Sequence, residues 1–162
     1  MAIKIEKMNL NHLNELQEIL ISDFDDFWSF STLKEEVENE NSSYIIGKIN
    51  NEIIGFAGLK KIFDQADIMN IVIKKTYRNQ GIGTLLLENL ILLAKDLNIF
   101  TLFLEVNEQI EKYTSKSVIY GSEVLSICNA IEDYSKKYPE SDGYPEIQLK
   151  IKIKGVRSFD VR

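Results

Sequence analysis

The segment that decides the fold is Ile71-Val72-Ile73-Lys74-Lys75-Thr76-Tyr77-Arg78-Asn79-Gln80-Gly81-Ile82-Gly83-Thr84. Its first three residues end an apolar run, and a Leu-rich run with helical spacing follows Gly81, so the segment predicts a strand, a turn and a helix over residues 81–97. Glycine lets the turn approach an anion closely, and the first N–H groups of a helix lack partners within the helix. The pattern therefore indicates a phosphate-binding turn, although a bare Gly-x-Gly pair is equally typical of tight strand–helix packing.

The turn differs from the two commonest phosphate-binding motifs. Its sequence lacks the Gly-Lys-Ser/Thr ending of a P-loop and the third glycine of a dinucleotide-binding motif. Neither of those nucleotide-binding folds is therefore indicated.

Residues on both sides of this segment predict one mixed sheet with helices. Alternation and helical spacing give the order β-α-α-β-β-β-α-β up to residue 106. Strand 67–73 is mostly apolar and is expected to be central, and its connection to strand 101–106 is expected to be a right-handed parallel crossover. The other predicted elements are strands 2–6, 43–49, 52–63 and 147–153, a helix capped by Asn9 or Asn11, a helix opened by a Thr32–Glu35 capping box, and a helix over 122–138.

Several single residues predict local features. Asn50-Asn51 is typical of a hairpin turn, and Gly55 and Gly58 within a strand indicate a bulge or a close approach by another backbone. His12 is the only histidine, and its place on a surface helix predicts an exposed side chain.

The composition limits the class of protein. A chain of 162 residues with 44% apolar and 27% charged residues predicts one folded domain over residues 1–162. The net charge of −6 argues against a nucleic-acid partner, and the charged start argues against a signal peptide. No apolar run is long enough to predict a membrane span, and a lone Cys128 excludes an internal disulfide and a Cys-based zinc site. We therefore expect a cytoplasmic protein without a metal.

The stretch Arg78-Asn79-Gln80-Gly81-Ile82-Gly83 resembles the Arg/Gln-x-x-Gly-x-Gly/Ala signature of the GCN5-related N-acetyltransferase (GNAT) superfamily. The resemblance implies a mixed α/β fold, a mostly antiparallel sheet with a parallel crossover at the cofactor site, and acetyl-CoA as co-substrate. It assigns the acetyl-CoA pyrophosphate to a loop that Arg78 opens, and the pantetheine arm and acetyl group to the preceding strand. The residues so implied are Asn79, Gln80, Gly81, Ile82, Gly83 and Thr84 in the loop, and Ile71, Val72 and Ile73 in the strand.

Three further stretches resemble the ribosomal-protein-alanine (RimI-like) branch of this superfamily. They are Met69-Asn70-Ile71-Val72-Ile73, Thr101-Leu102-Phe103-Leu104-Glu105-Val106 and Phe27-Trp28-Ser29, the last without the proline of the family's Pro-Trp-Ser. This resemblance covers residues 1–108 and implies a primary-amine acceptor, specifically a protein N-terminal alpha-amine.

Glu105 is the candidate general base. An ammonium must lose a proton before it can accept an acetyl group, and a carboxylate at a strand end can take that proton directly or through a water. Strand alternation by itself favours an outward-facing surface residue, so the catalytic role is what the resemblance implies. Tyr113 and Tyr120 are candidates for the general acid by their chemistry only, because neither has the family's spacing.

The resemblance ends near residue 108. The family continues with Asn-x-x-Ala-x-x-Leu-Tyr-x-x-x-Gly-Phe, whereas this chain has Gln109-Ile110-Glu111-Lys112-Tyr113-Thr114 and onward. One interpretation is a divergent C-terminal segment, 109–162, that completes the sheet differently. The other is a shifted reading frame, since permitted codons for residues 112–120 read one base later can spell Asn-Ile-Pro-Ala-Ser-Gln-Leu-Tyr-Met. The gene sequence distinguishes the two.

The sequence is also compatible with two functions other than protein N-terminal acetylation. One is a CoA-binding protein with little catalysis, because the acid and part of the acceptor site are not identified. The other is acetylation of a small-molecule amine. The sequence leaves monomer and homodimer as alternatives.

Overall fold

The computed structural model describes residues 2–24, 29–99, 101–107, 112–114, 117–119 and 148–154. Six strands form its main sheet, and a separate two-stranded pair contains β6 (Lys112–Thr114) and β7 (Ser117–Ile119). In spatial order the main sheet contains β1 (Lys4–Lys7), β2 (Ser42–Ile49), β3 (Glu52–Ile62), β4 (Gln65–Ile73), β5 (Thr101–Asn107) and β8 (Gln148–Lys154).

The sheet is mixed, as predicted. The first four strands pair antiparallel with their neighbours, whereas β4 pairs parallel with β5 and β5 pairs parallel with β8. β4 lies between β3 and β5, which confirms its predicted central position. The predicted strand over 147–153 is confirmed as β8, whereas the predicted helix over 122–138 lies outside the described residues.

Three helices cover the two faces of the sheet. Helices α1 (Leu10–Asp23) and α2 (Phe30–Glu38) share a buried cluster with one face, through Leu13, Leu16, Leu33, Ile46 and Phe56. Helix α3 (Ile82–Asp96) shares a second cluster with the other face, through Leu86, Leu87, Leu90, Ile54, Ala57 and Leu102. Burial of these alternating apolar side chains on both faces provides the main driving force for the fold.

The start of α1 explains why the predicted exposure of His12 is wrong. Asn9 caps the helix as predicted, with its side-chain oxygen accepting from the His12 N–H at 3.1 Å. The His12 Nδ1 accepts from the Asn9 N–H at 3.1 Å, which completes a reciprocal capping box. This bond turns the imidazole towards the protein, and His12 is only 5% exposed.

The start of α2 also differs from the prediction. The helix begins at Phe30 rather than at Thr32, because Ser29 is the N-cap and its Oγ accepts from the Thr32 N–H at 3.2 Å. The predicted Thr32–Glu35 capping box is therefore wrong, because the N-cap lies one helical turn earlier in the chain.

The β2–β3 hairpin confirms the predicted turn, and a shift of the pairing register beside Gly58 confirms the predicted bulge. Asn50 and Asn51 both have positive φ, at 49° and 66°, which is typical of the tight turns that match strand twist. A Cβ on Gly58 would lie 2.3 Å from the ring of Tyr44, so only glycine lets that buried ring lie across β3.

Candidate active site

The central feature of the site is the parting of β4 from β5. Their pairing covers only four residues on each strand, from Gln65 opposite Thr101 to Ile68 opposite Leu104. β4 continues to Ile73, and β5 continues to Asn107 with β8 paired along its other side. Within the described strands, the side of β4 that faced β5 therefore has no strand partner after Ile68.

A β-bulge lies where the two strands part. Gly58 pairs with Asn70 and Leu59 pairs with Ile68, so Met69 is the extra residue on β4. A bulge bends its strand and increases the local twist. Because it comes directly after the last β4–β5 pair, it accounts for the end of their pairing.

The loop from β4 to α3 brings backbone N–H groups to the carboxyl end of β4. Gly81 is the N-cap of α3 with φ of 80°, and no side chain caps the helix. The first helical hydrogen bond is donated by the Leu85 N–H to the Gly81 carbonyl at 3.1 Å, so the N–H groups of residues 82–84 precede the regular ladder. A Cβ on Gly81 would meet nothing within 4 Å, so the space above the turn is open.

The residues predicted for this loop differ in what they expose. Asn79, Gln80 and Gly81 are exposed, and Asn79 shares the left-handed conformation of Gly81 with φ of 61°. Ile82 buries its side chain in the core and therefore offers only its N–H. Gly83 and Thr84 are half-buried on the first turn of α3.

Arg78 links the loop to the strand that precedes it. Its Nε donates to the Ile73 carbonyl at 3.1 Å, across the five-residue segment that leaves β4. The guanidinium is thereby directed back to the strand end, so the first residue of the signature shapes the loop.

A cluster of charges, which the sequence analysis did not identify, holds the same segment. The Lys74 ammonium contacts Glu52, at the start of β3, and lies 3.1 Å from an oxygen of Asp23, the last residue of α1. Glu52 also accepts from the Tyr77 hydroxyl at 3.2 Å. The cluster joins three separate parts of the chain, at Asp23, Glu52 and residues 74–77, so no local sequence pattern could have predicted it.

The cluster shifts the titration of its members. Hydrogen bonding to Lys74 lowers the pKa of both Glu52 and Asp23, and the Glu52 hydrogen bond raises the pKa of Lys74. The same carboxylate raises the pKa of Tyr77. All four groups therefore keep their ionisation states around neutral pH.

Two buried polar groups lie beside the bulge. The Tyr44 hydroxyl and the Asn70 carboxamide have no hydrogen bond of normal geometry within the described residues. Burial, aided by the charge of Glu36, raises the pKa of Tyr44, and the nearby Asn70 opposes that rise. Tyr44 therefore stays neutral.

Glu105 lies on β5 one residue after the last pair with β4. Its backbone is in register with Lys152 of β8. The predicted base therefore lies in the carboxyl half of β5, and the predicted cofactor loop follows the carboxyl end of the adjacent parallel strand β4. Of the two candidate acids, Tyr113 lies in β6, paired with Val118, and Tyr120 lies outside the described residues.

Two further observations concern what the described part of the chain contains. No three of its His, Cys, Asp or Glu side chains come together in a way that would hold a metal ion. None of its helices combines the length and apolar character needed to cross a membrane.

Comparison with known proteins identifies the class. The model of the acetyltransferase (GNAT) family matches residues 13–113, which is more than half of the chain and includes most of α1, the loop 78–84 and β5. The chain therefore belongs to the GNAT acetyltransferase family. It is an acetyl-CoA-dependent N-acetyltransferase, as the signature beginning at Arg78 predicted.

One relative within this family indicates the branch to which the chain is most similar. The chain is 37% identical over 118 residues to the [ribosomal protein bS18]-alanine N-acetyltransferase of Haemophilus influenzae, covering 72% of this chain and 74% of the relative. The predicted resemblance to the RimI-like branch is thereby confirmed.

Solved structures share the fold. The ribosomal-protein-S18-alanine N-acetyltransferase of Escherichia coli superposes with a TM-score of 0.63 at 21% identity, covering 80% of this chain and 76% of that one. The PaiA N-acetyltransferase of Thermoplasma acidophilum, solved with coenzyme A, gives a TM-score of 0.55 at 19% identity, covering 74% and 98%. These comparisons confirm the predicted GNAT fold.

Proposed function

We propose that this enzyme acetylates the alpha-amine of a protein N-terminus, with a ribosomal protein that begins with alanine as the model acceptor. The support for this acceptor is the 37% identity to the Haemophilus influenzae enzyme over 74% of its length. The main structural support for acetyl transfer is the parting of β4 and β5, because the part of β4 that lacks β5 as a partner continues directly into the open turn at Gly81.

The described residues fit acetyl-CoA. An anion is stabilised at a helix N-terminus by unpaired N–H groups and by the helix dipole. The uncapped turn of α3 offers both, and the missing side chain of Gly81 leaves space for the phosphates. In this proposal the pyrophosphate lies on residues 79–84.

The pantetheine arm is assigned to β4. Within the described residues, 71–73 pair with β3 on one side only, through Ala57, Phe56 and Gly55. The Ile73 carbonyl already accepts from Arg78. The other alternate N–H and C=O groups that face away from β3 need partners, and an extended amide-containing arm supplies them. Acetyl-CoA, when bound, provides the acetyl group as an activated thioester.

Glu105 is proposed as the general base. Its carboxylate takes the proton from the acceptor ammonium, directly or through a water, so that the amine has a lone pair for attack. This role is supported by the position of its backbone on β5, one residue beyond the last β4–β5 pair. The general acid stays a prediction among Tyr113 and Tyr120.

Calorimetry and turnover test the proposal together. We expect acetyl-CoA to bind and a peptide that begins with Ala to be acetylated in preference to a simple primary amine. Glu105→Gln should lower kcat by about 100-fold while leaving acetyl-CoA affinity within about twofold, since general-base contributions are typically of that size. Glu18→Gln, an exposed carboxylate change on α1, is the control and should leave both quantities unchanged.

Each alternative gives a different result. Binding without turnover on any amine would indicate a CoA-binding protein with little catalysis, which the end of the family match at residue 113 makes a specific alternative. Preference for the simple amine would indicate a small-molecule acetyltransferase. Unchanged turnover in Glu105→Gln would remove Glu105 from the mechanism. The predicted cytoplasmic location, the oligomeric state and the division of the chain at residue 108 stay predictions.

A further inference from the structure

The chain between β4 and the loop 78–84 is held by contacts from outside the loop. It begins at Lys74, whose N–H donates to the Ile54 carbonyl of β3 at 2.8 Å. A short 3-10 helix, Lys75–Tyr77, follows, and the Tyr77 N–H donates to the Lys74 carbonyl at 2.9 Å. The path of this segment determines where the N–H groups of the loop point.

Glu52 contacts both ends of that segment. One of its oxygens contacts the Lys74 ammonium, and the other accepts from the Tyr77 hydroxyl at 3.2 Å. One carboxylate on β3 therefore fixes the residue before the 3-10 helix and the last residue within it. Arg78 follows immediately and bonds back to Ile73.

Lys74 is the group that makes this arrangement possible. Its side chain is 15% exposed and lies between two carboxylates, Glu52 and Asp23, that come from different elements. Without the ammonium these two like charges would repel each other in a partly desolvated place. Glu52 would then move, and Tyr77 would lose its partner.

We propose that Lys74 is a positioning residue for pyrophosphate binding, acting through Glu52 and Tyr77 on the loop 78–84. This inference rests on the proposed function, because it takes the loop as the pyrophosphate site. Lys74 does not itself contact the ligand in this proposal. It sets the geometry of the backbone N–H groups that do.

A substrate pair separates this role from a general effect on folding. S-acetylpantetheine carries the same thioester and arm as acetyl-CoA but lacks the pyrophosphate. Lys74→Met should raise KM for acetyl-CoA by about tenfold and change KM for S-acetylpantetheine by less than about twofold, because only the first substrate uses the loop. Lys74→Arg keeps a cation between the carboxylates and should restore the acetyl-CoA KM to within about threefold of the wild type.

The chain offers a matched control in the Lys60–Glu36 ion pair. Its atoms lie 3.5 Å apart, and its Lys side chain is 30% exposed, on β3 far from the loop. Lys60→Met also leaves a carboxylate without its cation, and it should leave the ratio of the two KM values unchanged. Should Lys74→Met fail to fold, Tyr77→Phe removes one bond to Glu52 without altering any charge and should raise only the acetyl-CoA KM.

The outcomes distinguish this inference from the proposed function. Equal increases in both KM values, or no increase in either, would overturn the positioning role of Lys74. A wild-type enzyme that uses S-acetylpantetheine as well as acetyl-CoA would instead contradict the pyrophosphate site itself. A selective rise in the acetyl-CoA KM, reversed by Lys74→Arg, supports the proposal.

Discussion

At the scale of single residues, two buried glycines of the sheet serve different purposes. Gly58 lies under the ring of Tyr44, and an added Cβ would be 2.3 Å from two ring carbons. Gly47, on the neighbouring strand, would place a Cβ at 3.6 Å or more from any atom, which is ordinary contact. The sequence predicted a bulge or a close backbone at Gly58, but not the contact with the Tyr44 ring, because Tyr44 is fourteen residues away across a hairpin.

Gly58→Ala should lower the free energy of unfolding by about 2–3 kcal/mol, because the buried ring cannot move aside without disturbing the core. Gly47→Ala is the matched control and should change it by less than about 1 kcal/mol. Chemical denaturation of the two variants measures both values. Equal changes in the free energy of unfolding for the two variants would show that backbone conformation, rather than the Tyr44 contact, explains the need for glycine at position 58.

At the scale of secondary structure elements, the cap of α1 couples helix stability to pH. The His12 Nδ1 accepts a hydrogen bond from the Asn9 N–H, so that nitrogen must be unprotonated. Burial and the charge of Lys48 lower the pKa of His12 below its usual 6.5, although Glu6, with an oxygen 3.5 Å from Nε2, opposes this shift. The folded state therefore binds this proton less readily than the unfolded state.

The sign of the pH effect follows from that difference. Above pH 6.5, His12 is neutral in both the folded and the unfolded state, and its contribution to the free energy of unfolding is fully present. As the pH falls below 6.5, the unfolded state takes up the proton first, and this contribution is lost. Urea denaturation from about pH 7.5 to about pH 5.5 should show this decline. His12→Gln keeps a side chain that can complete the capping box and should flatten the profile. An equally steep decline in that variant would assign the effect to other groups.

Most elements could be predicted from the sequence, because their signals are local. The spacing of Leu85, Leu86 and Leu90 predicted α3, and the Asn50-Asn51 pair predicted the hairpin turn. The exceptions were helix caps for which two nearby polar residues were both suitable. Ser29 and Thr32 are both good caps, and only the packed structure selects Ser29.

At the scale of the whole molecule, β8 completes the sheet beyond the region that resembles the family. It pairs with β5 along seven residues, from Thr101 opposite Gln148 to Asn107 opposite Lys154. The alternation over residues 147–153 predicted a strand. It did not predict that the strand is parallel to its neighbour or which strand that neighbour is, because pairing depends on the path of the intervening chain. The cofactor loop could be predicted from its motif, whereas the Lys74 cluster required the fold.

Removing β8 should destabilise the protein. A chain that ends at residue 108 leaves β5 with an unpaired edge and should unfold about 5–15 °C lower in calorimetry, given the few kcal/mol that an edge strand contributes. A chain that ends at residue 156 keeps β8 and serves as the control. Equal unfolding temperatures would mean that residues 109–162 add nothing to the stability of the domain.

The parting of β4 and β5 has a consequence for what can enter the site. A free strand edge at the margin of a sheet invites pairing with any other polypeptide and is normally protected. Here the free edge of β4 opens in the interior of the sheet, with β5 and β8 continuing beside it. An extended chain can pair with the free N–H and C=O groups of this edge as a neighbouring strand would. We therefore expect the sheet to favour an extended ligand before any side chain takes part in recognition.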